Sequence, residues 1–549
     1  MSEIVTRLSD VPAFTRLLSG YDESRLLRLP ESTKGRLCVI ETGLRRSRFV
    51  MRDPSDPELR ILLVGLRATL AASGYRTESE PVVCSAEIIE QLVDLSPVEA
   101  SDEPVKLGSD ESRSRSKMLF EHWLRVAVEE GATDLHIQVN NGKAEVKIRV
   151  DGDLVALNDE NGGIYTSVRA ERAVAWAYNN ASYRGSNSNS QFTLGENLYC
   201  MIQPHEVANK RVSLRFQSIR GANGVKVVCR LLDISPDQPT LSYEQLGYEF
   251  NQIESFKRAS SLPSGFVLFA GVTGSGKTTS LKTFIETHPS NGSDAFYSVE
   301  DPVEYPLKGV HQIPVQRDLI DKAGSALKYG EVIAALMRAD PGCVLMGEIR
   351  DEATASAGQQ IVETGHMACA TVHAHLISGI IPRLTDSEIG MSRFVLTNPH
   401  ILSLLCYQSL VPKLCTNCRL PLSAFTRDHP EFQSTLETSE AFDRYLGCDP
   451  SGLFFRRSTG CKHCRGRGTR GLTVVAELFV PDRHWLSLIR ERKDQEAIDH
   501  YRSFSDRNLA SSNMQGKTVF EHAVSKALRG MIDPRVCARF ENFDLYERL

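Results

Sequence analysis

The run Gly271-Val-Thr-Gly-Ser-Gly276-Lys277-Thr278 follows the pattern G-x-x-x-x-G-K-[ST]. Glycines at these positions let successive backbone N–H groups turn inward around a phosphate. A helix starting near Lys277 aims its positive end at the same anion. The chemistry is triphosphate binding, with Gly271, Thr273, Gly274, Ser275, Gly276, Lys277, Thr278 and Thr279 as the cradle. In such a cradle the lysine, here Lys277, reaches the β and γ phosphates, and the Thr278 hydroxyl ligates Mg²⁺. Hydrolysis needs acidic groups as well. Cys343-Val-Leu-Met-Gly-Glu348 is an apolar strand ending in a carboxylate, and Glu300-Asp-Pro-Val-Glu304 places three more after another strand-like run, 295–299. One of those three can orient and deprotonate a water; a solvated acidic turn is the alternative. These residues point to a Mg-dependent ATPase. Thr364-Gly-His366 and Thr371-Val-His373 follow. They are either ordinary packed histidines or a pair near the nucleotide that senses the γ-phosphate.

Cys415-x-x-Cys418 and Cys461-x-x-Cys464 are separated by 42 residues. Four thiolates make a closed tetrahedral site suited to structural Zn²⁺. Two unrelated pairs of free thiols are the other reading. Cys448 lies between the pairs as a spare candidate ligand. Arg419, Arg465, Arg467 and Arg470 cluster nearby, either as a solvated basic face or as a contact for an acidic membrane partner.

The elements that must position these groups read as α/β throughout. An apolar run at 266–270 precedes the glycine-rich turn, and 343–346 is a further strand, so 245–405 is an open α/β nucleotide domain. Residues 1–95 read as a mixed α/β domain, with strand-like runs at 37–41 and 61–65 and a helix at 85–92. Polar, serine-rich residues 96–117 read as a flexible linker. An amphipathic helix at 118–130, a hairpin turning at Asp151-Gly152 and strands at 212–216 and 225–232 make 118–235 a second domain of sheet and helix. Residues 406–480 hold the cysteine pairs, and 481–549 read as helical.

Of the 549 residues, 41% are hydrophobic and 24% charged, with a net charge of −5. That balance argues against bulk polyanion binding, which needs clustered positive charge, and leaves a local basic groove open. No basic start followed by an apolar run opens the chain, and no apolar stretch of about 18 residues occurs, so the expected compartment is the cytoplasm. Thirteen cysteines in that compartment suit free thiols or metal ligands rather than disulfides.

Over 118–480 the chain resembles the secretion ATPase superfamily, in particular the assembly branch of type II secretion and type IV pilus ATPases. The boxes that carry the resemblance occur in the family order: Gly131-Ala-Thr-Asp-Leu-His-Ile137, Arg149-Val-Asp151-Gly152, the phosphate loop, Glu300-Asp-Pro-Val-Glu304, Gly347-Glu-Ile-Arg-Asp351, and Thr364-Gly-His366 with His373. The resemblance implies a RecA-like P-loop domain with a zinc-binding insert, preceded by α/β domains, and a homo-hexameric ring. It implies Glu300 as catalytic base, Glu348 supporting Mg²⁺ and water, and Arg215 and Arg230 reaching the phosphates. Without it, those arginines read equally as surface residues. The chain departs from the family at Asp340-Pro-Gly342, at Ala334, at Thr371-Val-His-Ala-His375 and at Lys147, which suits a type IVb or thin-pilus member.

The expected function is a cytoplasmic ring ATPase, peripheral to the inner membrane. It uses ATP, Mg²⁺ and Zn²⁺, docks a partner through 1–95, and drives pilus or pseudopilus assembly through a membrane platform protein, with a pilus or secretion adaptor as a further partner. A nucleotide-switched scaffold and a DNA translocase are the alternatives; no nucleic acid is expected as a partner.

Overall fold

The structure is a computed structural model. It describes residues 5, 11–12, 14, 16–21, 26–43, 45–93, 110–140, 142–183, 188–189, 191–235, 238–301, 303–315 and 322–546. The chain divides into two compact units, Met1–Ser235 and Pro236–Leu549.

In the first unit, β1 (Leu37–Gly43) and β2 (Arg46–Met51) pair antiparallel at the centre of a five-stranded sheet. It carries α1 (Pro57–Ala72) and α2 (Ala86–Val93). The run 61–65, expected as a strand, lies inside α1. Asp56 accepts from the N–H groups of Glu58 and Leu59, and Pro57 opens the helix. These start signals override a short apolar run. The helical spacing buries Leu59, Leu66 and Leu70 and leaves Ile61 and Val64 exposed.

Helix α3 (Asp110–Glu129) begins inside the segment expected as linker, and residues 96–109 of that segment lie outside the described residues. An antiparallel sheet follows, built on β3 (Asp134–Asn140), β4 (Lys143–Val150), β5 (Asp153–Ala156), β6 (Tyr199–Val207), β7 (Lys210–Gly221) and β8 (Gly224–Asp233), in the order β5-β4-β3-β8-β7-β6. Strict alternation buries Ala144, Val146, Ile148 and Val150 of β4 on one face. Phe120, Trp123 and Leu124 of α3, with Ala173, Val174 and Ala177 of α4 (Ser167–Asn180), share that core.

The second unit carries α5 (Phe250–Ser260), which follows a short helical turn at Tyr243–Leu246, and is built on one seven-stranded sheet. Its strands are β9 (Gly265–Ala270), β10 (Phe296–Glu300), β11 (Val310–Pro314), β12 (Cys343–Glu348), β13 (Met367–Val372), β14 (Leu402–Leu414) and β15 (Thr469–Phe479). Their order is β11-β10-β12-β13-β9-β14-β15, parallel except for β15. Helices α6 (Lys277–Glu286), α7 (Lys322–Leu336) and α8 (Glu352–Glu363) connect the parallel strands. The interior strand β9 is buried at all six positions, as a strand covered on both faces must be.

The expected boundary at 405/406 therefore runs through β14, and β15 belongs to the same sheet. Only the stretch between these strands, with α9 (Phe432–Arg444) and the cysteines, stands apart as an insert. Apolar residues of α10 (Arg483–Arg490), α11 (Asp494–Arg502) and α12 (Val519–Leu528) join the main core rather than forming one of their own. No helix among the described residues is long and apolar enough to cross a membrane.

Helix α12 is buried almost all round although it carries Glu521, His522 and Lys526. Glu249 answers two of these: its carboxylate lies 3.4 Å from Lys526 Nζ, 3.6 Å from His522 Nε2 and 2.5 Å from Arg529. Burial and the Lys526 charge push His522 down to about 4 from 6.5. The unfolded chain takes up this proton near pH 6.5, but the folded chain only near 4. Stability is therefore full above pH 6.5 and is lost as pH falls towards 4, by an amount on the order of 3 kcal/mol. Thermal unfolding across pH 7 to 4 is expected to show this slope. His522→Asn, which keeps an acceptor for the Ala476 N–H at 3.0 Å, is expected to flatten it. An unchanged slope refutes the assignment.

Candidate nucleotide site

The loop joining β9 to α6 is residues 271–276. Gly271, Gly274 and Gly276 have φ of 149°, 80° and 80°, in the region that favours glycine. A Cβ on Gly271 would stand 2.4 Å from the Gln408 carbonyl oxygen. Lys277 is buried, and its ammonium donates to the carbonyls of Gly271 (2.6 Å) and Val272 (3.1 Å). Burial lowers its pKa, and the charges of Glu348 and Glu304 oppose the shift, so both carboxylates act on this cation. Thr273 and Gly274 are exposed on the loop and Thr278 and Thr279 on the first turn of α6, while Ser275 is buried with its hydroxyl unpartnered.

A support for the loop was not anticipated from sequence. Gln408, fully buried on β14, donates to the Ser275 carbonyl at 2.7 Å. Tyr248 donates to Gln408 Oε1 at 2.6 Å and lies 2.9 Å from Ser280 Oγ. The available signal is an amide set in the mostly apolar run of the strand.

Parallel pairing carries β9, β10, β12 and β13 to a common carboxyl edge: Ala270 stands beside Val372, Glu348 beside Thr371, and Val299 beside Met346. Glu300 is 8% exposed. Its Oε1 accepts from Ser298 Oγ (2.6 Å) and Gln312 Nε2 (2.9 Å). Burial outweighs these bonds and raises its pKa. The structure separates its two acidic neighbours: Asp301 pairs with Arg350 at 2.9 Å, while Glu304 acts on Lys277. Glu348 Oε1 lies 3.0 Å from His373 Nε2.

The two histidines expected together are at opposite ends of β13. His373 follows the carboxyl end. His366 precedes the amino end, where its carbonyl accepts from the Gly265 N–H and Thr364 Oγ1 lies 3.0 Å from its ring. A six-residue strand spans roughly 20 Å, so His366 is removed from this chain's phosphate loop.

Arg215 and Arg230 belong to the first unit. They face one another across β7 and β8, and the same row continues through Asp134 of β3 to Arg149 of β4. Asp134, 5% exposed, pairs with Arg230 at 3.1 Å and approaches Arg149 at 4.0 Å. Arg215 is exposed. Lys147, at the divergent position, stands two residues from Arg149 on the same face of β4.

The four cysteines converge. Cys415 follows β14, and Cys461 and Cys464 precede β15, so the sheet itself closes the 42-residue gap. Sulfur separations are 3.8 Å for Cys415–Cys461, 3.7 Å for Cys418–Cys464 and 3.8 Å for Cys461–Cys464. A tetrahedron with bonds of about 2.3 Å has edges of about 3.8 Å, so the donors fit zinc. The N–H groups of Cys461 and Gly468 each point at Cys464 Sγ at 3.1 Å. Cys448 packs against the main core, outside the cluster. Arg419 stacks on Phe454 at 4.2 Å and donates to the Gly530 carbonyl, a structural role.

A family model described as Type II/IV secretion system protein matches residues 109–526. The chain belongs to this family. Type II secretion system protein E of Pseudomonas aeruginosa is 29% identical over 435 residues, 79% of each chain. Protein transport protein HofB homolog of Escherichia coli is 30% identical over 412 residues, 74% of this chain and 80% of that one. Type IV pilus assembly ATPase PilB of Thermus thermophilus is 28% identical over 528 residues, 93% of this chain and 54% of that protein. The ATPase DotB of Legionella pneumophila shares the fold, at 19% identity and a TM-score of 0.51 over 80% of this chain and 97% of that one. This secretion ATPase thus keeps an unbroken phosphate loop and both strand-end carboxylates in an α/β P-loop fold.

Proposed function

We propose that this secretion ATPase is a cytoplasmic, hexameric motor that hydrolyses ATP to assemble a type IV pilus or type II secretion pseudopilus through an inner-membrane platform protein. The observation that carries this reading is the gathering of Lys277, Glu300, Glu348 and His373 at one carboxyl edge. A triphosphate in the loop draws the Lys277 ammonium off the Gly271 and Val272 carbonyls and onto its β and γ phosphates. Glu300, whose burial raises its basicity, takes the proton of the attacking water. Ser298 and Gln312 hold that carboxylate still. His373 fixes Glu348 and senses the γ-phosphate.

Thr278, Glu348 and Glu304 offer only oxygen ligands, a set that suits Mg²⁺, and Mg²⁺ in such a site offsets phosphate charge. Arg215 and Arg230 add guanidinium charge to the phosphates as bonds break. Because Arg230 is tied to Asp134 and Arg215 is not, Arg215→Ala is the cleaner test. It is expected to lower kcat about 10²-fold with an unchanged melting temperature; wild-type turnover removes Arg215 from the mechanism. Zn²⁺ in the four-cysteine site is structural, since all four positions are filled by protein sulfur.

The decisive experiment is steady-state hydrolysis beside particle mass, with Lys277→Ala as background. Turnover confined to ring-sized particles supports the motor. A monomer that binds ATP and stays at background replaces the motor with a nucleotide switch, and stimulation by DNA that disappears at high salt points to a translocase.

A further inference from the structure

Glu477 is a buried carboxylate on β15, and no part of the hydrolytic machinery above uses it. It is 2% exposed. One oxygen, Oε2, accepts from the N–H of Ile377 at 2.9 Å; the other, Oε1, accepts from the N–H of Val519 at 2.9 Å. These donors come from different parts of the fold. Ile377 opens the 3₁₀ turn Ile377–Gly379, four residues after His373. Val519 is the first residue of α12. Both are first-turn N–H groups that helices leave without internal partners, and one carboxylate caps the two together.

The segment between His373 and Ile377 is short and held under tension. Leu376 sits at φ 62°, a conformation that a leucine rarely adopts, and is 43% exposed. Strain of this kind persists only where the surroundings over-determine it; here His373 on Glu348 holds one end and Ile377 on Glu477 the other. Beside it lies a cavity of about 80 Å³, lined in part by Leu376, Ile377, Glu477, Phe479, Trp485 and Tyr501. A close-packed interior resists small displacements, and a void next to this segment gives it room to shift. On the far side, α12 is anchored by its Thr518 capping box, whose Glu521 pairs with Arg502 at 2.9 Å and accepts from Tyr546 at 2.6 Å. Burial pushes the Glu477 carboxyl up to about 7, because its two N–H donors and the nearby Arg502 offset desolvation only in part.

We infer that Glu477 is a positioning residue for ATP turnover, joining the loop that carries His373 to the first turn of α12. A change at the Glu348–His373 pair is passed along 373–377 to the buried helix, and the helix in turn holds His373 in register. This coupling rests on the reading of His373 given above, and the test separates the two.

Turnover, nucleotide affinity and melting temperature are measured on the full chain for wild type, Glu477→Gln, Leu376→Gly, His373→Ala and the double variant His373→Ala/Glu477→Gln. Glutamine keeps one acceptor but turns an NH₂ towards the second N–H, so one of the two links is lost. Glu477→Gln is expected to lower kcat, expressed per titrated nucleotide-binding site, about tenfold with the nucleotide Kd within twofold of wild type; counting binding sites removes the effect of any loss of folded protein. Leu376→Gly removes the backbone constraint and folds readily; it is expected to lower kcat at least threefold, so the test survives if Glu477→Gln misfolds. The double variant is expected to be no slower than the slower single variant, because both act through one loop. Independent, multiplying losses overturn the coupling. So do near-wild-type rates for both Glu477→Gln and Leu376→Gly beside a slow His373→Ala. A wild-type rate for His373→Ala is a different failure: it removes the role of His373, and the coupling with it.

Discussion

Glu300→Gln is expected to bind ATP as wild type does and to hydrolyse it about 10³-fold more slowly. The substitution keeps the shape of the side chain, and the amide can still accept from Ser298 and Gln312 through its remaining oxygen. What is lost is a proton acceptor 8% exposed at the end of β10. General-base groups contribute about 10²–10⁴ in rate, and burial that strengthens the base places this one towards the upper part of that range. The same burial sets the pH dependence. With its pKa raised, Glu300 is protonated at a pH where an ordinary glutamate is still ionised. The acid limb of kcat/KM is therefore expected above pH 4.5, and Glu300→Gln is expected to remove it. Single-turnover hydrolysis with independently measured ATP affinity checks both. Retained turnover transfers the role of base to Glu304, the other carboxylate that acts on the phosphate-loop lysine.

Cys464→Ser is expected to bring bound zinc from one ion per chain to near zero and to lower the melting temperature by about 10 °C. Cys464 is fully buried and receives two backbone N–H groups, which, against the desolvation that raises it, draw its thiol down to about 6. A serine there presents a weak, undissociated ligand to a site built for thiolate. The knuckle also braces the end of α12. The Leu414 N–H bonds the Met531 carbonyl at 2.8 Å, Arg419 bonds the Gly530 carbonyl, and the Arg456 N–H bonds Asp533 at 2.7 Å. Loosening the insert therefore loosens the turn that follows the helix. A loss on the order of 4 kcal/mol is at the upper end for one substitution, as expected when a metal is lost, and corresponds to roughly 10 °C in a unit of this size. Elemental analysis beside calorimetry decides it. Protein that carries no zinc as purified, or a variant that melts with wild type, shows that the four thiols are simply packed together.

The phosphate loop, the strand-end carboxylates and the cysteine spacing are legible without coordinates, because each is a local pattern dictated by its chemistry. A loop must present N–H groups to an anion, so it spends glycines at 271, 274 and 276. A thiolate site must bring two ligands from each tight turn, so it writes C-x-x-C twice. Helix starts are equally local: Asp56-Pro57 decides α1 against the apolar run 61–65, and reading those two residues first gives the right element.

What the tertiary structure alone decided is which distant residues meet. His366 and His373 look like partners seven residues apart, yet an extended strand separates its ends by its full length. Cys418 and Cys461 look remote, yet antiparallel β14 and β15 return the chain to its starting point. Those strands also carry the sheet of the nucleotide domain past 405 to both sides of the cysteine insert, since sheet membership depends on hydrogen bonds between strands and leaves no mark in either strand's own pattern. Gln408 beneath the phosphate loop and Glu477 between two helix starts are buried polar residues flanked by apolar stretches of their strands. Their sequence context shows that something must satisfy them, because a buried polar group without a partner is costly. Only the packing of elements between 42 and 160 residues apart settles what that partner is.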